Sequence, residues 1–293
     1  NHYDSAIGNC DKGNGCYGII INSGIIYSGT TQAENCTAIG GGGNGFGEVI
    51  INGGVVTAVA STTGTAIGGG IGFSSEGGGG YVEINGGNVY AYNKDNGHSI
   101  PSSAIGGAGS QQEWGSKGTV IINDGYVYAY SALGTAIGGG SSYTKKGGDA
   151  EVIITGGNVI AMSGAPGSAG IGGGTTGTGG NSKWKGDSDT NGGNAIITIG
   201  SVSNLNSTMP ILRTGSIGGG GSGHSSGNIG NANITIYGGD IQAQFVMAAS
   251  DNNVFNMQGG LIRNSDTSDN EYKCIQENGG AVYMQKGKFM MSG

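Results

Sequence analysis

The sequence predicts an all-β chain, a right-handed parallel β-helix with about three short strands per repeat. Three observations predict it. First, a Thr-Ala-Ile-Gly segment or a close variant recurs around Ile7, Ile39, Ile67, Ile105, Ile137, Ile171 and Ile217, at spacings of 32, 28, 38, 32, 34 and 46 residues. Second, each copy is followed by a strand-like run that closes on Asn-Gly-Gly or a variant, and then by another strand-like run. Third, 69 of 293 residues are glycine, only 3 are proline, and leucine is nearly absent while Ile, Val, Ala and Tyr are plentiful. That balance disfavours helix and favours strand. Units of this length cannot bury a core alone, so each packs on its neighbours.

The first element of a repeat is the Thr-Ala-Ile-Gly strand, and a Gly/Ser-rich stretch of varying length follows it as a loop. The second is Val49-Ile50-Ile51-Asn52 and its copies Val82–Asn85, Val120–Asn123, Val152–Thr155 and Ile234–Ile236. The third is Val56–Val59 and its copies Val89–Tyr92, Val127–Tyr130, Val159–Met162 and Ile241–Gln244. Strands alternate faces, so Val49 and Ile51 share one side, as do Val56 and Ala58. Those columns are apolar and small, which predicts a narrow core. Stacking each strand on its copy gives continuous parallel sheets, and strand twist sets the right hand. Asn22, Asn52, Asn85 and Asn123 fall at the corner after the second strand, where stacked amides can bond along the axis. The glycines after them supply the positive φ that a sharp corner needs.

The pattern spans residues 1–258 and changes near Gly259. Residues 259–293 read as a variant of the same repeat, truncated at the end. Neither terminus carries a capping pattern, which predicts flanking repeats or end-to-end self-association into filaments.

Together the two patterns, Thr-Ala-Ile-Gly-Gly-Gly and Gly259-Gly260-Leu261-Ile262-Arg263-Asn264 with Gly279-Gly280-Ala281-Val282-Tyr283, resemble the glycine-rich β-helix repeats of large bacterial cell-surface, adhesin-like proteins. The resemblance implies the fold and an extracellular, cell-surface location. It implies little about activity, because such repeats occur in adhesins, in spacers and beside carbohydrate-active domains.

Charge narrows the function. The net charge is −7 with only 12 Lys and Arg, so no basic stripe exists for nucleic acid. No apolar run approaches the ~20 residues of a membrane span, which predicts no membrane insertion. Cys10, Cys16, Cys36 and Cys274 lack paired zinc spacing. One disulfide among Cys10, Cys16 and Cys36 fits an extracellular protein, while Cys274 takes an inward position as a free thiol.

Outward positions of the third strand place Tyr90, Tyr92, Tyr126, Tyr128 and Tyr130 on one face of two adjacent repeats. Aromatic faces stack on sugars and exposed apolar patches mark contacts, while cross-strand stacking that only stabilises the sheet is the plainer account. Asp187, Asp189 and Asn191 match the first half of an EF-hand loop, but its twelfth position is Thr198 and a strand follows. A structural calcium ion there is the alternative to a solvated polar turn; no other cofactor is expected.

Polysaccharide lyases and glycosidases also use this fold and need paired acids. Outward acids are few: Glu48, Glu83, Glu151 and Asp240. Glu48 and Glu151 share a column three repeats apart. The only arginines are Arg213 and Arg263, and His2, His98 and His224 lie in loops or at the terminus. The column Thr37, Thr65, Ser103, Thr135 invites comparison with ice-binding arrays, though it stands alone beside uneven loops. The sequence therefore predicts a non-catalytic structural or adhesive surface module. The alternative is a carbohydrate-binding β-helix using the tyrosine face, with glycans or other surface proteins as partners; a polysaccharide-active enzyme ranks below both.

Overall fold

The computed structural model describes residues 5–8, 13, 15–30, 37–60, 63–72, 74–94, 101–165, 167–177, 191–202, 209–222, 227–248, 252–264, 282–284 and 288–292. These residues hold β-strands and no α-helix. Every strand pairs in parallel with its counterpart in the neighbouring repeat. The second-position strands are Cys16–Ile21, Gly47–Ile51, Gly80–Ile84, Gly118–Ile122, Ala150–Ile154, Ala195–Ile199, Ala232–Ile236, Val254–Met257 and Lys288–Met291; they form one 9-stranded sheet in chain order.

The first-position strands are only two residues long, Ile39–Gly40 and its copies, paired Ile to Ile and Gly to Gly. The third-position strands are Ile25–Thr30, Val55–Ala60, Asn88–Asn93, Tyr126–Ser131 and Asn158–Ser163. These two stacks become one 15-stranded sheet because Ile211–Gly218 pairs with both Asn158–Ser163 and Ile171–Gly172. In that repeat, and in Asp240–Ala248 beside it, the third and first strands are a single strand, so the expected three strands become two. After Gly259, Leu261–Asn264, Val282–Met284 and Lys288–Met291 continue the parallel pairing.

The alternation read from the sequence fixes the core. Val49, Ile51, Val56 and Ala58 are fully buried, as are Val82, Ile84, Val89 and Ala91 in the next repeat. Each buried Val or Ile contributes roughly 1.5–3 kcal/mol. The core stays narrow because the columns are aliphatic and small until Phe255, which stacks on Phe289 at 5.2 Å.

The isoleucine-glycine strand depends on glycine for a close approach. Gly68 has φ +135, and a Cβ there would overlap the carbonyl oxygen of Gly106 in the next repeat. The corner behaves as expected. Asn52 Nδ2 donates to Asn22 Oδ1 at 2.8 Å, Asn85 to Asn52 at 2.9 Å, and Asn123 to Asn85 at 2.7 Å. The Thr155 hydroxyl ends the ladder by donating to Asn123 Oδ1 at 3.0 Å. Gly54 and Gly87 turn the corner at φ +89 and +86.

The Gly/Ser-rich stretches differ from expectation. Their bases are a buried layer rather than loops. The outgoing arm after each Ile-Gly strand and the returning arm before each second strand bond to each other through their backbones. Gly70 N donates to Gly45 O, Gly78 N to Gly70 O, Ala108 N to Gly78 O and Ser116 N to Ala108 O, and the zigzag continues through Gly140, Gly148, Gly174, Gly193, Gly220 and Gly230 at 2.6–3.1 Å. Backbone lies directly on backbone here, so a Cβ at Gly70, Gly78 or Gly174 would overlap a carbonyl. Only the tips vary in length. They carry a further in-register column, Gly72, Ser110, Ser142, Thr176 and Ser222.

The Thr/Ser column is also corrected. Thr37, Thr65, Ser103 and Thr135 are buried, so they present no surface array. Thr37, Ser103 and Thr135 donate to the carbonyls of Gly69, Gly107 and Gly173 at 3.1, 2.6 and 2.9 Å. These hydroxyls tie the first strand to the glycine layer.

Candidate functional site: the tyrosine face

The third-position sheet turns its tyrosines outward by simple alternation. Val89, Ala91, Val127 and Ala129 point inward and are fully buried. The residues between them face out in register, Tyr90 beside Tyr128 and Tyr92 beside Tyr130, with Tyr126 beside Asn88. The rings do not stack along these register pairs. Tyr126 packs on Tyr90 with centroids 5.7 Å apart and planes tilted 50°, and Tyr128 packs on Tyr92 at 5.5 Å and 40°. These are diagonal contacts between parallel strands, a geometry that aromatic pairs favour over a face-to-face sandwich. All five rings, Tyr130 included, are half-buried. The structure therefore brings together all five tyrosines read from the sequence.

Their surroundings extend the face. Thr57 and Val59 precede the tyrosines in the same rows, and Ile160 and Met162 follow them. Arg213 occupies the next position after Ile160, which sequence alignment of the repeats passed over. Its signal was present: Ile211-Leu212-Arg213-Thr214 has the period of a third strand but lacks the alanine that marks the other copies. Lys94 Nζ lies 5.8 Å from the Tyr92 ring centroid, within cation–π range. Burial raises the Tyr92 pKa, and the neighbouring Tyr128, Tyr90 and Tyr126 add to it.

The outward acids lie mainly on the other sheet. Glu48, Tyr81, Thr119 and Glu151 form one column, which places Glu48 and Glu151 three strand spacings apart, about 14 Å. That exceeds the roughly 5–9.5 Å of a glycosidase acid pair. Glu151 is bridged by Lys117 at 2.8 Å. Glu83 and Glu48 flank Tyr81, a grouping the sequence reading missed because they sit in different columns. The Tyr81 hydroxyl donates to Glu83 Oε2 at 3.0 Å. Burial raises the Tyr81 pKa first, then the bond to Glu83 and the charges of Glu83 and Glu48. Asp240 is held by Arg263, which keeps its carboxyl below the usual range.

The other candidate residues are less fully placed. Asp187 and Asp189 lie outside the described residues. Asn191 Oδ1 accepts the Asn228 N–H at 2.9 Å, and the Asn191 carbonyl accepts the Thr176 hydroxyl at 2.7 Å. Among the described residues, no three or more His, Cys, Asp or Glu side chains group as metal ligands. Cys16 is a half-buried free thiol; Cys10, Cys36 and Cys274 lie outside the described residues, as do His2, His98 and His224. Among the described residues, no helix is long and apolar enough to cross a membrane. Comparisons with family models, curated proteins and solved structures found no match to this chain.

Proposed function

We propose that this chain is a right-handed parallel β-helix serving as a non-catalytic structural and adhesive module of an extracellular, cell-surface protein. The observation that carries this reading is the continuous parallel pairing of the nine second-position strands from Cys16–Ile21 to Lys288–Met291, with one register shift between Cys16 and Ile19. Nine strands at ~4.8 Å make a stiff element roughly 40 Å long. Stiffness follows from backbone bonds that run from repeat to repeat along sheets, corner and glycine layer alike. Such a body suits projection and display. Small-angle scattering of the purified chain tests it: a rod-like distance distribution is expected, and a globular one sinks the reading. Labelling of intact source cells with a specific antibody tests the location.

A second reading is favoured by the tyrosine face, namely a carbohydrate-binding β-helix. Five half-buried rings lie on one outward sheet face, and the flanking Ile160 and Met162 extend the strip. Binding to soluble glycans that disappears in Tyr90→Ala/Tyr128→Ala supports it. An enzymatic role is tested by incubation with pectins, mucins and fructans; release of reducing ends would displace both readings.

A further inference from the structure

We infer that the tyrosine face takes a linear acidic polysaccharide, laid along the direction in which the strands stack. The inference rests on the carbohydrate-binding reading and names the ligand's chemical class. Three observations lead to it.

The first is geometric. The row Thr57, Tyr90, Tyr128, Ile160, Arg213 and the row Val59, Tyr92, Tyr130, Met162 run along the stacking direction, one residue per repeat. Contacts along each row therefore recur every ~4.8 Å, on the scale of one sugar ring. A linear polymer matches that repetition, whereas a compact ligand would use only one step of it.

The second is chemical. The strip combines aromatic and aliphatic groups with the Thr57 hydroxyl and, in the adjoining row, the exposed Asn88 beside Tyr126. Sugars present the same mixture, with C–H faces for the rings and hydroxyls for the amides.

The third is charge. The chain carries −7 overall, yet two cations flank the tyrosines of this strip. Lys94 lies beside the Tyr92 ring, and Arg213 is exposed three strands further along the stack. Neither is in a salt bridge among the described residues. The two rows hold no carboxylate from Thr57 to Arg213. Among the described residues, Asp124 Oδ1 accepts the Gly125 N–H at 2.7 Å at the corner, and Asp240, in register with Ile211, is paired with Arg263. A carboxylated or sulfated chain lying across the rings meets a cation beside Tyr92 and another at Arg213. In a protein of opposite overall sign, such placement selects ligand and orientation more than it adds bulk affinity.

The experiment uses the intact chain with three probes: alginate, carboxymethylcellulose, and hydroxyethylcellulose as the neutral counterpart on the same backbone. Binding is measured by affinity electrophoresis and calorimetry at two ionic strengths, with circular dichroism confirming the fold of each variant. The expected result is binding of the anionic polymers that weakens with salt. Lys94→Gln/Arg213→Gln should weaken it about tenfold, and Tyr90→Ala/Tyr128→Ala should weaken it at least as much. Equal binding of hydroxyethylcellulose, unaffected by the charge variant, overturns the acidic ligand while leaving the carbohydrate reading intact. Failure of all three polymers to bind the folded protein overturns both.

Discussion

The repeats between Thr37 and Gly177 and those between Met209 and Ala248 share one core but close it differently. In the first region a linker separates the third strand from the next first strand, and its Thr63, Ser102 and Ser168 are buried. Ser131 Oγ donates to the Ser102 carbonyl at 2.9 Å and accepts the Gly134 N–H at 2.9 Å; Ser102 Oγ donates to the Thr63 carbonyl at 2.7 Å. In the second region the linker is gone. Thr214, Gly215 and Ser216 carry the chain straight from third to first strand, and two stacks of strands fuse. Ile171 still pairs with Ile217 and Val159 with Leu212. The core columns thus set the register, while the corner is one of several ways to reach it. The outward chemistry changes at the same boundary, from tyrosines to Arg213, Asp240 and Arg263.

The sharpest test of that contrast is a pair of glycine substitutions. Gly68→Ala in the first region should cost about 3 kcal/mol or more, because its φ of +135 is strained for alanine and the Gly106 carbonyl blocks the Cβ. Gly215→Ala in the fused strand meets nothing nearer than Gln244 Oε1 at 3.9 Å. It should be neutral or stabilising by up to about 1 kcal/mol. Denaturant unfolding of both variants measures this, and equal losses would break the comparison.

A smaller effect is expected at the corners. Ser131→Ala removes both an acceptor and a donor from a buried network and should cost about 1–3 kcal/mol. Thr214→Val removes a single 3.3 Å bond to the Ser216 carbonyl and should cost less. Thermal melts of the two variants give the ranking, and a reversed order would mean that the fused strand relies on polar bonds as much as the linker does.

The asparagine ladder runs from Asn22 to Thr155, and Gly200 takes the next corner position, after Ile199. Asn85→Ala breaks two exposed side-chain bonds and should cost about 1 kcal/mol. Hydrogen exchange should show faster opening at this corner and no change near Gly200.

The smallest effect concerns pH. The folded-state pKa of Tyr92 lies above its ordinary value of 10.0 because the neutral ring is favoured by burial. The stability it contributes is intact below the unfolded pKa and is lost as pH rises through the folded pKa. Stability should therefore begin to fall near pH 10, and Tyr92→Phe should lessen that fall, with the tyrosinate absorbance as the readout. In the second region Asp240 has the opposite sign: its lowered pKa supports the fold above 3.8 and that support fades as pH falls, weakly because the pair is exposed.

Much of this molecule was legible in its residues. The alternation Val49, Ile51, Val56, Ala58 gave the inward columns directly, since a period of two on a one-sided sheet permits one choice. The asparagine corner and the outward tyrosines followed from the same count. The glycine layer was missed because varying length suggested loops. Its signal lay in fixed offsets at both ends: Gly45, Gly78, Ser116, Gly148, Gly193 and Gly230 each stand two residues before a second strand. The diagonal pairing of the rings could not be read, because side-chain tilt depends on neighbours in three dimensions.

The sequence by itself determined which residues face inward, where the chain turns, and that each repeat lies on its copy. Those features are local or periodic, and period and steric limits fix them without reference to distant contacts. Only the tertiary structure decided that Thr37, Thr65, Ser103 and Thr135 are buried, that glycine arms pack backbone on backbone, and that Arg213 joins the tyrosine row. Each of these depends on how closely neighbouring repeats approach, a distance set by the whole stack.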